Sequence, residues 1–335
     1  MPDRIASSEK YKITNLKIIG EINGTDLNMI REMAGGNYTG NSTDGKLSVL
    51  DLSEAKIVEG GDCYYTDYDN YTYNEYYTSN DVIGFCAFKG CSRLTSLTLP
   101  AGITSIGSYA FWGCSGLTNL TLPTGITSIG SDAFCGCSGL TSLKLPASIT
   151  SIGSRAFQGC SGLTNLTLPA GITSIGDGTF DRCSGLTSLT LPAGITSIGY
   201  GAFEGWRGLT SLTLPAGITE IDDDAFRDCS GLTSIYVYAE KVPKIGRNVF
   251  WGVDTKKCTL YVPMGTYDDY RLSEFGDYFE NIVEFEATGI DKTTTSTDVE
   301  EVVRYSVNGQ RLSAPTKGLN IVKYSDGSVK KVAVR

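Results

Sequence analysis

One phrase of 23 residues recurs along this chain. Seven of its phenylalanines follow one another at intervals of 23 positions, and an eighth follows after 24. They are Phe88, Phe111, Phe134, Phe157, Phe180, Phe203, Phe226 and Phe250. Self-similarity at a fixed period of this length predicts a solenoid in which each repeat forms one turn. We therefore expect a hydrophobic core that grows in one dimension, with every repeat contacting only its neighbours.

Each repeat predicts two short strands and a turn. In 111–133 the text LTNLTLP alternates leucine with polar residues, which predicts a half-buried strand with leucine inward. The text ITSIG predicts a second extended segment, and AF-x-G-C predicts a short helical turn that brings the next phenylalanine inward. One repeat alone buries too little apolar surface to offset the entropy of ordering its backbone, so the repeats must stack.

The sequences at both ends of the repeated region differ from the repeat, and we interpret them as caps. We expect an N-terminal cap over 1–45, with a short helix N-capped by Thr25, and the solenoid over 46–262. A C-terminal cap follows over 263–285, with a helical segment that begins after Thr266.

The end of the chain reads as a separate unit. Residues 286–301 are polar and rich in threonine, which predicts a linker. Residues 302–335 alternate as strands around Asn308-Gly309 and Asp326-Gly327, two strong hairpin signals. This tail holds seven basic residues and one acidic residue, a net charge of +6, so the rest of the −9 chain carries −15. The tail is either an export or anchoring module or a terminal extension without such a role.

Composition excludes several classes of function. The chain has no histidine, which removes Ser–His and Cys–His nucleophile pairs and histidine-ligated zinc. Its negative charge argues against a nucleic-acid partner. Five acidic residues crowd 220–228 without the spacing of a calcium loop, so we interpret them as a solvated edge and predict no metal site. We expect no enzymatic activity and no cofactor.

Two features bear on location. No run of 18 apolar residues occurs, so no membrane span is expected. The opening text MPDRIASSEKYK lacks the apolar stretch of a signal peptide. The protein is therefore either cytosolic or the product of leader removal.

An insertion interrupts the second half of one repeat. Leu50 and Leu97 are 47 residues apart where one period gives 23, and the extra residues lie at about 58–82. They hold seven tyrosines: Tyr64, Tyr65, Tyr68, Tyr71, Tyr73, Tyr76 and Tyr77. Tyrosine supplies large contact area at low entropic cost and is favoured at interfaces. We predict that these tyrosines form a binding site; the alternative is a loop without a partner.

The outward positions of the leucine strands are nearly uniform. One row reads Thr98, Thr121, Lys144, Thr167, Thr190, Thr213 and Tyr236. The tryptophan, tyrosine and arginine side chains that dominate tight interfaces are scarce here. A tight protein interface on this face is therefore not expected, and weak multivalent hydrogen bonding to glycans is the alternative.

A column of cysteines follows the same period, with Trp206 in one place of the column. Its members are Cys91, Cys114, Cys137, Cys160, Cys183 and Cys229. Equivalent positions of stacked strands lie about 4.8 Å apart and point in parallel, whereas a disulfide needs convergent Cβ atoms. We predict buried free thiols and a local distortion at Trp206. Cys86 and Cys135 are expected to be exposed, and a Cys63–Cys86 disulfide is a further hypothesis.

The repeat AF-x-G-C-S-G-L-T-x-L-T-L-P-x-G-I-T-S-I-G closely resembles the BspA-like (Treponema pallidum-type) leucine-rich repeats of bacterial surface proteins. Matching text covers about Leu47 to Pro263, and both caps and the tail are similar to segments of Bacteroidetes members. The resemblance implies a right-handed α/β solenoid of about ten turns. It also implies an exported protein, secreted or held at the outer cell surface, that adheres to a host extracellular protein or glycan. The family defines no catalytic residues.

These observations favour a non-enzymatic binding or adhesion protein that presents the tyrosine-rich insertion on a rigid scaffold. One alternative is a structural spacer at the cell surface. Another is a glycan-capture accessory protein with tyrosine platforms.

Overall fold

The structure is a computed structural model that describes residues 4–69 and 72–286, together with strands of the tail at 301–306, 311–312, 318–324 and 329–334. It divides into two compact units, Met1–Ala287 and Thr288–Arg335.

The first unit contains three α-helices, one short 3-10 helix (Lys10–Lys12) and twenty strands within the described ranges. The helices are α1 (Gly24–Met33), α2 (Tyr267–Arg271) and α3 (Glu274–Tyr278). The strands are β1 (Asn15–Ile22), β2 (Val49–Ile57), β3 (Gly60–Asp69), β4 (Thr72–Thr78), β5 (Val82–Ile83), β6 (Ser96–Thr98), β7 (Ser105–Ile106), β8 (Asn119–Thr121), β9 (Ser128–Ile129), β10 (Ser142–Lys144), β11 (Ser151–Ile152), β12 (Asn165–Thr167), β13 (Ser174–Ile175), β14 (Ser197–Ile198), β15 (Ser211–Leu214), β16 (Glu220–Ile221), β17 (Ser234–Val237), β18 (Lys244–Ile245), β19 (Thr259–Pro263) and β20 (Ile282–Phe285).

Two parallel ladders run along the solenoid, which makes about nine turns in the described residues. The leucine ladder pairs β1-β2-β6-β8, then β10-β12, then β15-β17-β19-β20. The isoleucine ladder pairs β5-β7-β9-β11 and β13-β14-β16-β18. Identical positions pair across repeats, as in Leu97↔Leu120 and Ile106↔Ile129. Each paired leucine and isoleucine therefore packs on its own copy in the next repeat, and the predicted solenoid is confirmed.

The third side of each turn differs from the prediction of a short helical turn. Between α1 and α2 the described residues form hydrogen-bonded turns and no α-helix. In each repeat one residue near the turn's start adopts the left-handed conformation, for example Tyr109 (φ 58°), Asp132 (φ 55°) and Arg155 (φ 55°). Because a left-handed residue cannot continue a right-handed helix, the AF-x-G-C text closes a tight turn.

Backbone hydrogen bonds join these turns into a third ladder, here called the turn ladder. The N–H of Phe88 donates to the carbonyl of Ala110 at 2.7 Å, and Phe111 donates likewise to Ala133 at 2.7 Å. The phenylalanine rings beneath stack with centroids 5.1–6.0 Å apart and interplanar angles of 1–12°. Every donor in this ladder belongs to the earlier repeat, so its first turn presents unpaired carbonyls and its last turn presents unpaired N–H groups.

The N-terminal cap supplies donors to those carbonyls. The fully buried Arg31 of α1 donates through its guanidinium nitrogens to the carbonyls of Ala87 (2.9 Å) and Lys89 (3.2 Å). The Tyr64 hydroxyl donates to the carbonyl of Phe85 at 2.8 Å. In later repeats, the carbonyls at these three positions accept hydrogen bonds from backbone N–H groups of the preceding repeat. The cap therefore replaces a missing repeat.

The N-cap of α1 is Asn23, so the prediction of Thr25 was wrong. The Asn23 side chain accepts from the backbone N–H groups of Thr25 and Asp26, and Asp26 accepts from the Asn23 N–H at 3.2 Å. This reciprocal pair is a capping box. The Thr25 hydroxyl instead donates to the Asp62 carboxylate at 3.0 Å and so holds the insertion against the helix.

The C-terminal cap closes the phenylalanine stack and supplies an acceptor. Rings of Phe275, Tyr278 and Phe279 pack around Phe250 at 5.1–6.1 Å. Burial raises the pKa of Tyr278. The backbone N–H groups of Asn248 and Val249 interact with the Tyr278 hydroxyl and partly counteract this rise in pKa. Thr266 precedes α2 as predicted, but its hydroxyl donates to the carbonyl of Pro263 and accepts no capping bond from the helix N–H groups.

The cysteine column consists of buried free thiols, as predicted. Each Sγ from Cys114 onward donates to a phenylalanine carbonyl of the previous repeat at 3.0–3.3 Å. Trp206 is fully buried, and its indole N–H donates to the carbonyl of Phe180 at 2.8 Å. The indole thus replaces the thiol as donor. Phe180 and Phe203, which the indole contacts, stack at 5.7 Å with an interplanar angle of 12°, and the leucine strand after Trp206 is the regular β15. Residues 188–190, on the leucine side of the preceding repeat, form no strand.

Thiol burial predicts a loss of stability in alkaline solution. Burial raises the pKa of Cys160 and of Cys229 to about 12, above the ordinary value of 9.0. Ionisation therefore favours the unfolded chain. The stabilisation is complete below pH 9 and is lost as the pH rises towards 12. We expect urea titrations to show a free energy of unfolding that falls between pH 9 and 10.5. The Cys160→Ala variant should fall less steeply, and an identical slope would contradict the prediction.

The second unit is a four-stranded antiparallel sheet. Its strands are β21 (Glu301–Ser306), β22 (Arg311–Leu312), β23 (Gly318–Tyr324) and β24 (Val329–Val334), in the order β22-β21-β23-β24. The pairs β21–β22 and β23–β24 are those that the two predicted hairpins require. The turns themselves lie outside the described residues.

Candidate binding surface

The tyrosine-rich insertion forms a β-hairpin on the N-terminal end of the solenoid. Strands β3 and β4 pair antiparallel, with Tyr65 opposite Tyr76 and Tyr68 opposite Tyr73. The register shifts between Gly60 and Tyr65. Because neighbouring residues of a strand point to opposite faces, Tyr65 and Tyr76 lie on one face and Tyr68 and Tyr73 on the other. Tyr64 stands in the segment of shifted register and is buried as well.

The inner set is structural, which corrects the prediction for two tyrosines. Tyr64 and Tyr65 are only 1% and 4% exposed. The Tyr64 hydroxyl caps the turn ladder, and the Tyr65 ring lies 4.9 Å from the Arg31 guanidinium carbon. These two side chains form the floor under the hairpin and cannot contact a partner.

Tyr76 connects the hairpin to the first turn. Its ring stacks on Phe85 with centroids 4.2 Å apart and an interplanar angle of 18°. Its hydroxyl donates to Asp67 at 3.4 Å. Burial and the neighbouring Asp67 carboxylate raise the pKa of Tyr76. This half-buried ring fixes the hairpin's orientation.

The outer set is open to solvent, and we name it the tyrosine face. It consists of Tyr68, Tyr73 and Tyr77, which are 69%, 59% and 49% exposed. The Tyr77 hydroxyl donates to the Glu75 carboxylate at 2.7 Å, and this bond raises the pKa of Tyr77. The hydroxyl is therefore neutral at physiological pH. Tyr71 lies outside the described residues.

A half-buried lysine beside the hairpin is surrounded by aromatic rings. The Lys89 Nζ lies 5.3 Å from the ring centroids of Tyr65 and Trp112, and 5.6 Å from that of Tyr109. Cation–π attraction of this kind stabilises the charged amine. Burial lowers the pKa of Lys89, but the hydrogen bond to Tyr65 and the nearby Cys86, Tyr65 and Asp67 together raise it above its ordinary value.

Sequence reasoning missed this cluster, although a signal for it was present. Lys89, Trp112 and Cys135 occupy the position after the repeat phenylalanine, where the residue changes from each repeat to the next. The leucine strands vary far less at their outward positions. Variation at one column within an otherwise constant phrase marks the turn side as the chemically distinct face. Trp251, 61% exposed, belongs to the same column.

The two cysteines near the hairpin do not form the hypothesised disulfide. Cys63 and Cys86 are both free thiols. Partial burial, and after it the charges of Glu75 and Asp62, raise the pKa of Cys63, whereas Cys86 is fully buried near Arg31. The expectation that Cys86 is exposed was therefore also wrong. Cys135 is half-buried and lies 3.7 Å from the Gln158 amide oxygen.

The acidic residues of 220–228 are only partly a solvated edge. Asp224 is buried and pairs with Arg227 at 3.4 Å. Glu220 pairs with Lys244 at 2.9 Å across two neighbouring repeats. The Asp223 carboxylate accepts from the backbone N–H of Arg247 at 2.7 Å. These carboxylates therefore hold adjacent turns together.

None of the helices in the described ranges has the length and apolar character needed to cross a bilayer.

Comparison with known proteins places these features in a family. The pattern described as "BspA type Leucine rich repeat region" matches in six copies over 61–173 and 150–270, which is more than half of the chain. No curated protein sequence matches significantly.

Several solved structures resemble the chain. A leucine-rich cell-surface protein of Faecalibacterium prausnitzii is 35% identical with a TM-score of 0.46, covering 53% of this chain and 47% of that protein. A leucine-rich repeat protein of Bacteroides ovatus is 24% identical (TM-score 0.45; 66% and 67% covered). The leucine-rich repeat protein of T. pallidum is 29% identical (TM-score 0.45; 51% and 80% covered). The chain thus spans about half the length of the first of these relatives. With its six matched copies, its leucine and isoleucine ladders and its stacked phenylalanines, this chain belongs to the BspA-type leucine-rich repeat proteins.

Proposed function

We propose that this chain is a non-enzymatic binding protein, secreted or displayed on the outer cell surface, that adheres through its tyrosine face. Its partner is a host extracellular protein or glycan. The observation that carries the proposal is the exposure of Tyr68, Tyr73 and Tyr77 on one face of a single hairpin. Such side chains combine apolar contact area with a hydroxyl and are enriched at hot spots.

The hairpin is held in place before any partner binds. Thr25 and Asp62 join it to α1, and Tyr76 joins it to Phe85. The Asn74 amide donates to Asp67 at 2.9 Å between the two strands. A surface that is already ordered loses little conformational entropy on binding, so more of its contact energy appears as affinity.

The tyrosine face is tested by removing its rings together. We expect a Tyr68→Ala, Tyr73→Ala, Tyr77→Ala variant to lose binding by about 100-fold or more, because hot-spot truncations cost about 2 kcal/mol or more each. The measurement is a solid-phase screen against extracellular-matrix proteins, mucins and a glycan array, followed by affinities for each hit. All three side chains are exposed, so the melting temperature should not change.

A matched control removes three exposed rings elsewhere. A Tyr200→Ala, Trp251→Ala, Tyr267→Ala variant deletes aromatic side chains that are 52%, 61% and 41% exposed and lie outside the hairpin. It should retain full affinity. Equal loss in both variants, or no loss in the first, would reject the tyrosine face. The absence of any partner for the intact chain would favour the structural spacer.

A further inference from the structure

The leucine ladder is interrupted in the middle of the solenoid. Strand β6 pairs with β8 and β10 pairs with β12, but β8 and β10 are not hydrogen-bonded to each other in the described structure. The backbone N–H of Thr118 donates to the carbonyl of Thr95 at 3.0 Å. No equivalent hydrogen bond joins the N–H of Thr141 to the carbonyl of Thr118. Backbone donors and acceptors on the facing edges of β8 and β10 are therefore not paired by the ladder here, as is also the case where 188–190 form no strand.

A groove with a volume of about 510 Å³ lies at the interruption. Its lining combines amide and hydroxyl groups with an apolar floor. The lining residues include Asn119, Thr121, Ser142, Lys144, Leu122 and Pro146. Leu120 and Leu122 are 8% and 6% exposed, and together with Pro146 they give the groove an apolar floor.

The groove coincides with a change in the outward row. From Thr98 to Tyr236 that row holds threonine or tyrosine in every repeat except at Lys144, its one charged member. Lys144 is exposed and makes no ion pair within the described residues. Between Thr98 and Tyr236, the charged member of the row therefore stands at the edge of a groove that offers unpaired backbone groups and an apolar floor.

We propose that this groove binds a sugar ring that carries a carboxylate. The Lys144 ammonium would pair with the carboxylate, while Asn119, Ser142 and unpaired backbone groups would bond the ring hydroxyls. Leucine and proline would contact the apolar C–H face of the sugar. Charge-assisted hydrogen bonds are the strong contacts in such a set. The site is separate from the tyrosine face and does not depend on it.

The experiment measures sugar affinity by isothermal titration with the full chain. Probes are a galacturonic acid trisaccharide and sialyllactose, each compared with its neutral counterpart, a galactose trisaccharide and lactose. We expect at least one acidic sugar to bind at least tenfold more tightly than its neutral counterpart. Equal affinities, or no heat from either acidic probe at 10 mM (roughly the weakest binding that such sites show), would overturn the proposal.

Two variants localise the site. Lys144→Thr restores the residue of the neighbouring repeats, so the fold should tolerate it, and it should weaken the acidic sugar by about tenfold or more. The double variant Lys144→Thr, Thr98→Lys returns the charge to the same face on β6, a strand that is hydrogen-bonded to a neighbour on both sides. It should not recover affinity. Recovery would mean that charge alone attracts the sugar, and unchanged affinity in Lys144→Thr would show that the groove is not the site.

Discussion

Replacement of Arg31 by methionine is expected to lower the free energy of unfolding by about 3–5 kcal/mol. The guanidinium donates to four backbone carbonyls, those of Cys86 (2.6 Å), Ala87, Asn37 and Lys89. The methionine side chain fills similar volume but donates nothing. The carbonyls at the start of the turn ladder would then be buried without a partner, which costs about 1–3 kcal/mol each. Relief from burying a cation offsets only part of this cost.

Urea unfolding followed by circular dichroism measures this loss. Arg207→Met is the matched control, because it removes the same charge from an exposed position and should change stability by about 0.5 kcal/mol or less. Hydrogen exchange should also show the first turns opening before the rest in the Arg31→Met protein. A stability equal to that of the control would mean that the cap does not depend on these bonds.

Removal of one ring from the middle of the phenylalanine stack is the second large effect. Phe157 is fully buried between Phe134 and Phe180, with ring centroids 5.3 and 5.4 Å away. Phe157→Ala should cost about 3–5 kcal/mol from lost burial and the resulting cavity. Because each repeat contacts only its neighbours, the cavity weakens the coupling between the two halves.

The unfolding curve should therefore change in shape as well as in midpoint. We expect Phe157→Ala to unfold in two steps, with hydrogen exchange assigning one step to each side of the substitution. Phe157→Leu keeps most of the apolar volume and should show a smaller loss in one transition. A single transition of unchanged steepness in Phe157→Ala would contradict the nearest-neighbour description.

The solenoid could be predicted in detail because one phrase is repeated. Because the sequence repeats, the register that pairs Leu120 with the leucine of the neighbouring repeat also pairs every later leucine. The same holds for Phe111 and Ile129. Any slip by one residue would expose a whole column at once. The sequence therefore specifies strands, inward faces and the cysteine column together.

The parts that occur once could be predicted less well. Which insertion tyrosines are buried depends on the shifted register after Gly60 and on the position of α1, and neither is repeated anywhere. Tyr64 and Tyr68 have similar sequence surroundings but opposite exposure. Asn23 and Thr25 are both good N-cap residues, and only the reciprocal bond to Asp26 separates them.

The direction of the turn ladder determines how this protein can change in length. In the turn ladder, the carbonyls of each repeat accept hydrogen bonds from the repeat before, and its N–H groups donate the same number to the repeat after. Duplication of 23 residues therefore leaves Arg31 facing carbonyls and Tyr278 facing N–H groups, as before. The distance between the two ends can grow in steps of about 4.8 Å, one strand spacing per duplication, without any change in either cap. A chain built in this way has a reach that evolution can adjust independently of the chemistry that terminates it.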